Sequence, residues 1–338
     1  MKEGSVGPPD IYLGAKLRKV ALADGTHHWG QSSSHYIQEA IKNVENWTQK
    51  NGYHLLSKVD TPMSTSYRPE LDVSQELDSD ETSFFMSGIG VLRWIVELGR
   101  IDIATEASML AGQMALPRKG HLFAMLRVFS YLKKKHNARL VFDATVPNID
   151  MSCFPERNWH HFYGNVTEDI PSNGPKPRGK PVVLRMYVDS DHAGERLTRR
   201  SRTGYIIFIN TAPIQWYSKK QGSVEASTFG SEFVAMKSAA EANRGLRYKL
   251  RMMGIPIEDP TYTFGDNQSV LNNTTTPESM LKKKSNAICY HFVQECCARG
   301  EMIATYINTK HNVADILTKV LPASERRTNL IRKLMWDI

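Results

Sequence analysis

The sequence predicts a C-terminal α/β domain, with a mixed five-stranded sheet and flanking helices, after a mainly helical N-terminal region. Amphipathic helical patterns dominate the first part, and strand-like and helical segments alternate in the last part. Between them Pro and Gly are concentrated, most densely at 171–177, which is typical of a linker. We therefore expect a helical region at 1–145, a linker at 146–180 and the α/β domain at 181–338.

The N-terminal region is expected to begin with a short strand around 11–14 and a turn at Asp24-Gly25. Ser33 or Ser34 would then cap a helix. The apolar residues of that helix recur at spacings of three and four and are Ile37, Ala40, Ile41, Val44 and Trp47. The polar, acidic segment 59–83 reads as a loop. Two or three helices are expected after it, up to about residue 136.

The α/β domain is expected to start with three strands and then to alternate helices and strands. The predicted elements are strands at 182–189, 204–209 and 213–217, a helix at 231–253, a strand at 261–265, a helix at 283–299, a strand at 302–307 and final helices. The three residues after Ile209 read as a hairpin turn. Gly254, with Pro256 just beyond it, is a good C-terminal stop for the long helix.

Composition narrows the class of protein. The 338 residues are 41% hydrophobic, which is enough for buried cores. They contain no apolar run of membrane-spanning length and no charged-then-apolar leader, so we expect a soluble, unsecreted protein. The four cysteines match neither a metal-binding spacing nor a disulfide framework, which indicates free thiols.

Positive charge is concentrated in the C-terminal part. The net charge of +8 divides into +7 for 181–338 (22 Lys+Arg against 15 Asp+Glu) and +1 for 1–180 (21 against 20). Such an excess favours a polyanionic ligand. A basic surface that is merely soluble accounts for the charge alone equally well.

Four acidic residues stand at expected element boundaries in the same part: Asp189, Glu232, Asp266 and Asp315. The first is expected to end a strand, the second to lie in the first turn of the long helix, the third to follow a short strand and the fourth to begin a C-terminal helix. No His or Cys stands beside them at zinc spacing, so these carboxylates favour a magnesium site over a zinc site. A site of this kind points to phosphodiester chemistry.

Each of the four acids also has an ordinary structural explanation. Asp189 could start a turn, and Asp266 could cap the next helix. Glu232 and Asp315 could complement the positive ends of helices. Glu232 has the strongest local case, because it heads a helix face that should pack on the sheet, where an unpaired carboxylate is costly. That face is Glu232, Ala235, Ala239, Ala242, Leu246, Leu250 and Met253.

The segments around these acids resemble the ribonuclease H domain of copia-type retrotransposon polyproteins. The resemblance covers 181–338 and rests on segments that are weak individually and specific together. They are YVDSDHAG at 187–194, RSRTGY at 200–205, IQWYSKKQ at 214–221, STFGSEFVA at 227–235, DNQS at 266–269 and NVADILTK at 312–319. The resemblance implies a ribonuclease H-like sheet with flanking helices.

The resemblance also implies a catalytic site. In that family the carboxylates at the positions of Asp189, Glu232, Asp266 and Asp315 hold two divalent metal ions, here expected to be Mg²⁺ with Mn²⁺ as a substitute. The implied reaction is two-metal hydrolysis of the RNA strand of an RNA–DNA hybrid. One departure is visible: many relatives carry another acid just before the catalytic glutamate, whereas Phe229-Gly230-Ser231 precede Glu232 here.

The N-terminal region resembles the same polyproteins less closely, as the end of a reverse transcriptase palm followed by thumb and connection helices. The segments concerned are 11–14, 88–94, 99–102 and 131–134. The polymerase metal motif is an Asp-Asp pair on a hairpin, and the chain has no Asp-Asp dipeptide. We therefore expect no polymerase activity from this chain alone. The expected partners are the hybrid and an upstream polymerase region but no membrane, and the expected location is intracellular, cytoplasmic in a virus-like particle or nuclear.

Basic residues near the acids are candidates for binding nucleic-acid phosphates, with a solvated surface as the alternative. They are Arg199, Arg200, Arg202, Lys219, Lys220, Arg244, Arg247 and Arg251. His311 is a candidate for proton transfer or product release, although a surface histidine is more often neither. Two other functions stay open: a catalytically inactive or co-opted nucleic-acid-binding remnant, and another metal nuclease of the same fold.

Overall fold

The computed structural model describes residues 7–22, 24–281 and 286–338. They form two compact units. Unit 1 comprises the chain up to Asp143 together with Val320–Ile338, and unit 2 comprises Ala144–Lys319. Across these described ranges, no helix is both long enough and apolar enough to cross a membrane.

Unit 1 combines a four-stranded antiparallel sheet with helices that share an apolar core. The strands, in sheet order, are β1 (Ile11–Tyr12), β2 (Ala15–Ala21), β3 (His27–Ser32) and β4 (Arg139–Phe142). The main helices are α1 (Ser34–Lys50), α2 (Ser79–Glu97), α3 (Ala104–Ala111) and α4 (Lys119–Lys134). The apolar face predicted for α1 lies in the core, where Ile37, Ile41 and Val44 are buried.

Unit 1 contains more strand than predicted, and α2 begins five residues before the expected start. The turn at Asp24-Gly25 joins β2 to β3. The polar and basic residues of these two strands do not form a clear strand pattern in the sequence. Asp78 caps α2 by accepting the backbone N–H of Glu81, while the Glu81 carboxylate accepts the backbone N–H of Asp78. This reciprocal cap explains why the expected loop ends early, and its Asp-x-x-Glu spacing is visible in the sequence.

Residues 320–338 pack in unit 1, whereas the sequence places them in the α/β domain. The guanidinium group of Arg327 lies 5.3 Å from the ring centroid of Tyr131. The backbones of Arg139 and Trp336 exchange hydrogen bonds of 3.0 and 2.9 Å. As a compact unit, the part with the five-stranded sheet therefore ends at Lys319.

Unit 2 contains the predicted mixed five-stranded sheet. Its strands are β5 (Leu184–Asp191), β6 (Arg202–Ile209), β7 (Ala212–Lys220), β8 (Thr261–Gly265) and β9 (Met302–Tyr306). Their order in the sheet is β7-β6-β5-β8-β9. Neighbours among the first three are antiparallel, which confirms the β6–β7 hairpin, and β8 and β9 run parallel to β5.

The described residues of unit 2 form four α-helices. They are α5 (His160–Tyr163), α6 (Thr228–Met252), α7 (Gln268–Thr275) and α8 (Ala287–Ala298). Of these, α6, α7 and α8 contact the sheet. The buried face of α6 packs in one core with Met186 and Val188 of β5. The helix stops as predicted before Gly254, which has a left-handed φ of 74°. The first residues of the helix expected at 283–299 lie outside the described residues, and α8 is its described part.

The segment expected to be a linker, 146–180, is part of unit 2 and packs against its sheet and its long helix. The ring of Phe154 lies against those of Tyr262 and Phe264, at centroid distances of 5.3 and 5.8 Å. The carboxylate of Glu168 pairs with the guanidinium groups of Arg247 and Arg251 at 2.7 and 2.6 Å. Pro and Gly keep this segment largely free of regular secondary structure. The apolar and ionic contacts nevertheless fix it to the rest of unit 2.

Candidate metal centre

Asp189 lies inside β5 and not at its end, because the strand continues to Asp191. This corrects the predicted strand boundary. In the antiparallel pair of β5 and β6, Asp189 is opposite Gly204. Its side chain is buried, at 1% exposed. A turn-forming role is therefore removed, and a buried carboxylate at this position needs compensation by a cation or hydrogen bonds.

Two further carboxylates reach Asp189 from neighbouring elements. Asp266 directly follows β8, which runs parallel to β5, so the strands carry both acids to the same end of the sheet. Glu232 comes from α6 and is also buried. One carboxylate oxygen of each residue lies within 4.8 Å of those of the other two. The structure thus brings together three of the four predicted acids.

The capping explanations weaken for two of these acids. Asn267, not Asp266, caps α7, since its side-chain oxygen accepts the backbone N–H groups of Ser269 and Val270. Glu232 lies in the second turn of α6 and not the first, because the helix begins at Thr228. The influence of a helix end is largely confined to the first turn, so it does not explain a buried glutamate at this position.

Asp315 stands beside this group on a short 3-10 helix, Val313–Leu317, where the sequence suggested the start of an α-helix. Asn312 fixes that helix to β5. Its side-chain oxygen accepts the N–H of Ala314, and its Nδ2 donates to the carbonyl of Val188 at 2.9 Å. Asp315 is therefore held next to Asp189 and is itself 1% exposed.

Lys319 joins Asp189 to Asp315 and was not singled out from the sequence. Its Nζ lies 2.5 Å from Oδ1 of Asp315 and 3.2 Å from Oδ2 of Asp189. The hydroxyl of Thr318 donates to the same Oδ2 of Asp189. The i, i+4 spacing of Asp315 and Lys319 is a signal that could have suggested the first ion pair.

Gln221 supports the cluster from the end of β7 and was also missed. Its side-chain Nε2 donates to Oγ1 of Thr203 at 3.0 Å and to the carbonyl of Ser231 at 2.9 Å. Ser231 immediately precedes Glu232, so these bonds tie the start of α6 to the sheet beside the carboxylates. Nothing in the sequence around Gln221 predicts that its side chain makes these hydrogen bonds.

The charges of the cluster are incompletely balanced. Burial raises the pKa of Asp189 to about 6, an effect that Lys319 opposes and that Asp315 and Asp266 reinforce. Burial, with Asp189 and Asp266, also raises the pKa of Glu232 well above its usual range. Burial would lower the pKa of Lys319, but the carboxylates of Asp189 and Asp315 outweigh it and raise that pKa. Buried oxygen ligands with excess negative charge fit a hard divalent cation.

Three of the basic candidates, all on α6, form ion pairs within unit 2. Arg247 and Arg251 both pair with Glu168, and Arg247 is only 2% exposed. Arg244 pairs with the buried carboxylate of Glu301 at 2.8 Å. Their guanidinium groups join separate segments of unit 2, and a role for these residues in phosphate binding stays a prediction.

The remaining basic candidates lie near the end of the β5-β6-β7 part of the sheet that is closest to Asp189. Lys219 and Lys220 stand opposite Thr203 and Arg202, one and two positions beyond the row of Asp189. The other candidates separate by burial. Lys219 and Arg199 are exposed, Arg200 is half-buried, Arg202 is buried, and Lys220 lies 3.4 Å from Glu195. His311 is exposed on a 3-10 helix, Thr309–His311, and its role stays a prediction.

Comparison with known proteins supports the resemblance to retrotransposon polyproteins that the sequence motifs indicate. The chain is similar to retrovirus-related Pol polyproteins. It is 25% identical over 310 residues to that of transposon RE1 from Arabidopsis thaliana, which covers 92% of this chain and 18% of the relative. It is 24% identical over 328 residues to that of transposon TNT 1-94 from Nicotiana tabacum, covering 95% and 21%. The resemblance to retrotransposon polyproteins is confirmed. No family model matches the chain.

The chain thus spans only about a fifth of the length of these polyproteins, 18% and 21%. Among solved structures, it is similar to LC11-RNase H1 in complex with an RNA/DNA hybrid, with 14% identity and a TM-score of 0.33, covering 40% of this chain and 96% of that one. Three antiparallel strands followed by two parallel ones, in the order β7-β6-β5-β8-β9, form the sheet of unit 2. The predicted α/β class, with a mixed five-stranded sheet and flanking helices, is confirmed for this unit.

Proposed function

We propose that unit 2 is a ribonuclease H that hydrolyses the RNA strand of RNA–DNA hybrids with divalent metal ions. The observation that carries this proposal is the convergence of Asp189, Glu232 and Asp266, from a strand, a helix and a strand end, to within 4.8 Å. Such a set of oxygen donors suits Mg²⁺, with Mn²⁺ as a substitute. The similarity to Pol polyproteins supports a hybrid as substrate, since reverse transcription produces hybrids.

The residues divide the work as follows. Asp189, Glu232 and Asp266 would hold the first ion, and Asp189 with Asp315 would face a second. Bound there, the ions would lower the pKa of an attacking water and stabilise the leaving oxygen. Asn312 and Gln221 orient the carboxylates by fixing the elements that carry them. Exposed Lys219 and Arg199 would contact phosphates without reading sequence.

Cleavage of a labelled hybrid by the full chain tests the proposal. The chain is incubated with an RNA–DNA hybrid, and in parallel with the same sequence as a DNA duplex, in Mg²⁺ or in EDTA. Asp189→Asn removes a carboxylate of the cluster, and Glu258→Gln removes an exposed acid elsewhere in unit 2. We expect RNA cleavage in Mg²⁺ by the unmodified chain and by Glu258→Gln.

Two results would contradict ribonuclease H activity: no RNA cleavage under any condition, or equal cleavage by Asp189→Asn. Salt-dependent binding of the hybrid without cleavage would instead support the non-cleaving remnant. Cleavage of the DNA duplex at a similar rate would support another metal nuclease of the same fold, because discrimination against DNA requires contacts to the 2′-hydroxyl groups.

A further inference from the structure

Lys319 occupies a position among the carboxylates where a cation is required. Its ammonium group contacts Oδ1 of Asp315 and Oδ2 of Asp189, at 2.5 and 3.2 Å. Both acids are 1% exposed, so solvent does little to stabilise their charges. The ammonium group therefore serves these two carboxylates as a built-in monovalent cation.

The position of Lys319 is determined by the short helix that precedes it. The backbone N–H of Lys319 donates to the carbonyl of Asp315 at 3.1 Å, which continues the turn of that helix. Thr318, one residue earlier, donates its hydroxyl to Asp189. The side chain of Lys319 is nevertheless 39% exposed, and its four-carbon stem is flexible. It can leave the carboxylates without unfolding the helix.

The two halves of the cluster differ in this respect. Asp189, Glu232 and Asp266 form the group whose oxygens lie within 4.8 Å of one another, whereas Lys319 forms its ion pairs with Asp189 and Asp315. Between Asp189 and Asp315, by contrast, the ammonium group already holds one oxygen of each acid. A divalent ion at that second place would meet a positive charge at contact distance, which is strongly repulsive in a buried site.

We propose that Lys319 makes the resting protein a one-ion site: the first divalent ion binds to Asp189, Glu232 and Asp266, and a second ion binds between Asp189 and Asp315 only when the Lys319 ammonium group moves away. This rests on the proposed metal site. The role of Lys319 adds to that site a difference in affinity between the two ions, because the ammonium group occupies the place of the second ion. The phosphate groups of a bound nucleic acid would attract the displaced ammonium group, so substrate would favour the two-ion state.

Counting Mn²⁺ ions bound to the full chain in the absence of nucleic acid tests this inference. Free Mn²⁺ is measured by electron paramagnetic resonance during a titration of the unmodified chain, Lys319→Met, Lys319→Gln and Lys319→Arg. Lys310→Met removes an exposed lysine nearby and is the matched control. Using two neutral variants keeps the test valid if one of them fails to fold, which circular dichroism would reveal.

We expect one tight Mn²⁺ in the unmodified chain, in Lys310→Met and in Lys319→Arg. In the neutral Lys319 variants a second ion should bind at least tenfold more tightly than in the unmodified chain. Identical affinities in the neutral variants and the unmodified chain would overturn the inference for Lys319 and leave the metal site intact. Absence of Mn²⁺ binding in every variant would overturn both. RNA cleavage is not measured, so its failure would not be confused with either result.

Discussion

Gly204 lies opposite Asp189 in the β5–β6 pair, and its missing side chain makes room for the helix that carries Asp315. A Cβ atom at Gly204 would stand 2.6 Å from Cγ2 of Thr318 and 2.8 Å from Cβ of Leu317. These distances are shorter than any normal contact. The glycine of the RSRTGY segment therefore permits the close approach that places Asp315 and Lys319 beside Asp189.

We expect Gly204→Ala to lower the free energy of unfolding by about 1–3 kcal/mol, because the added methyl group overpacks this contact. It should also weaken Mg²⁺ binding, since the helix with Asp315 must move away from Asp189. Urea unfolding and a Mg²⁺ titration measure the two effects. Gly245→Ala, in the interior of α6 with no atom within 4 Å of its added Cβ, is the control. It should stabilise by roughly 0.5–1 kcal/mol, and a similar gain for Gly204→Ala would contradict the close approach.

Removing one charge from the cluster should affect stability in opposite directions without and with metal. At pH 8 in EDTA, Glu232→Gln should be as stable as the unmodified chain or more so, because burial and the neighbouring carboxylates disfavour the charge of Glu232. With Mg²⁺ at 100 times its dissociation constant, the unmodified chain should gain about 2.7 kcal/mol and the variant clearly less.

Thermal unfolding with EDTA and with Mg²⁺ measures both effects of Glu232→Gln. Glu241→Gln changes an exposed acid on the same helix, which pairs with Lys237 at the surface. This control should respond to Mg²⁺ like the unmodified chain. An equal gain in stability for Glu232→Gln would show that Glu232 does not contact the ion.

The α/β part of the chain was predictable because its elements carry local signals. Runs rich in strand-forming residues and the hairpin turn located β5 to β8 within a few residues. Gly254 located the end of α6. The acids were identified from element order and motifs, and three of them meet in space. What made the cluster recognisable was the succession of elements, since each acid alone had an ordinary explanation.

The contacts of the basic residues could not be predicted in the same way. Glu168 lies about eighty positions before its partners Arg247 and Arg251, in a segment whose composition indicates only a linker. Nothing in local spacing shows that an arginine on a helix surface is already paired. Long-range ion pairs of this kind are decided by tertiary packing, and so is the attachment of residues 320–338 to unit 1.

The ion pairs of Glu168 predict a pH-dependent stability. Burial would raise the pKa of Glu168, but Arg247 and Arg251 outweigh it and lower that pKa to about 2. A depressed folded-state pKa stabilises fully above the unfolded value, about 4.3, and this contribution is lost as the pH falls towards 2. Glu168→Gln should therefore cost up to roughly 3 kcal/mol at pH 7, and the difference from the unmodified chain should shrink below about pH 4.5.

Urea unfolding at pH 7 and at intervals down to pH 3 measures this difference. Asp169→Asn is the neighbouring control, since Asp169 is 92% exposed in its pair with Arg299. Exposed pairs contribute little, so this variant should change stability by less than about 1 kcal/mol at any of these pH values. A cost for Glu168→Gln that stays constant down to pH 3 would mean that the carboxylate charge is not its source.

Substitution of basic residues should separate phosphate contacts from structural ion pairs. Lys219 is exposed one position beyond the row of Asp189 in the sheet, whereas Arg251 is bonded to Glu168. In an Asp189→Asn background that prevents cleavage, Lys219→Ala should weaken hybrid binding and reduce the slope of log affinity against log salt by about 1. Arg251→Ala should leave the slope unchanged and lower the urea midpoint. Fluorescence anisotropy over a salt series measures the slopes, and a reduced slope for Arg251→Ala alone would return the helix face to the nucleic-acid interface.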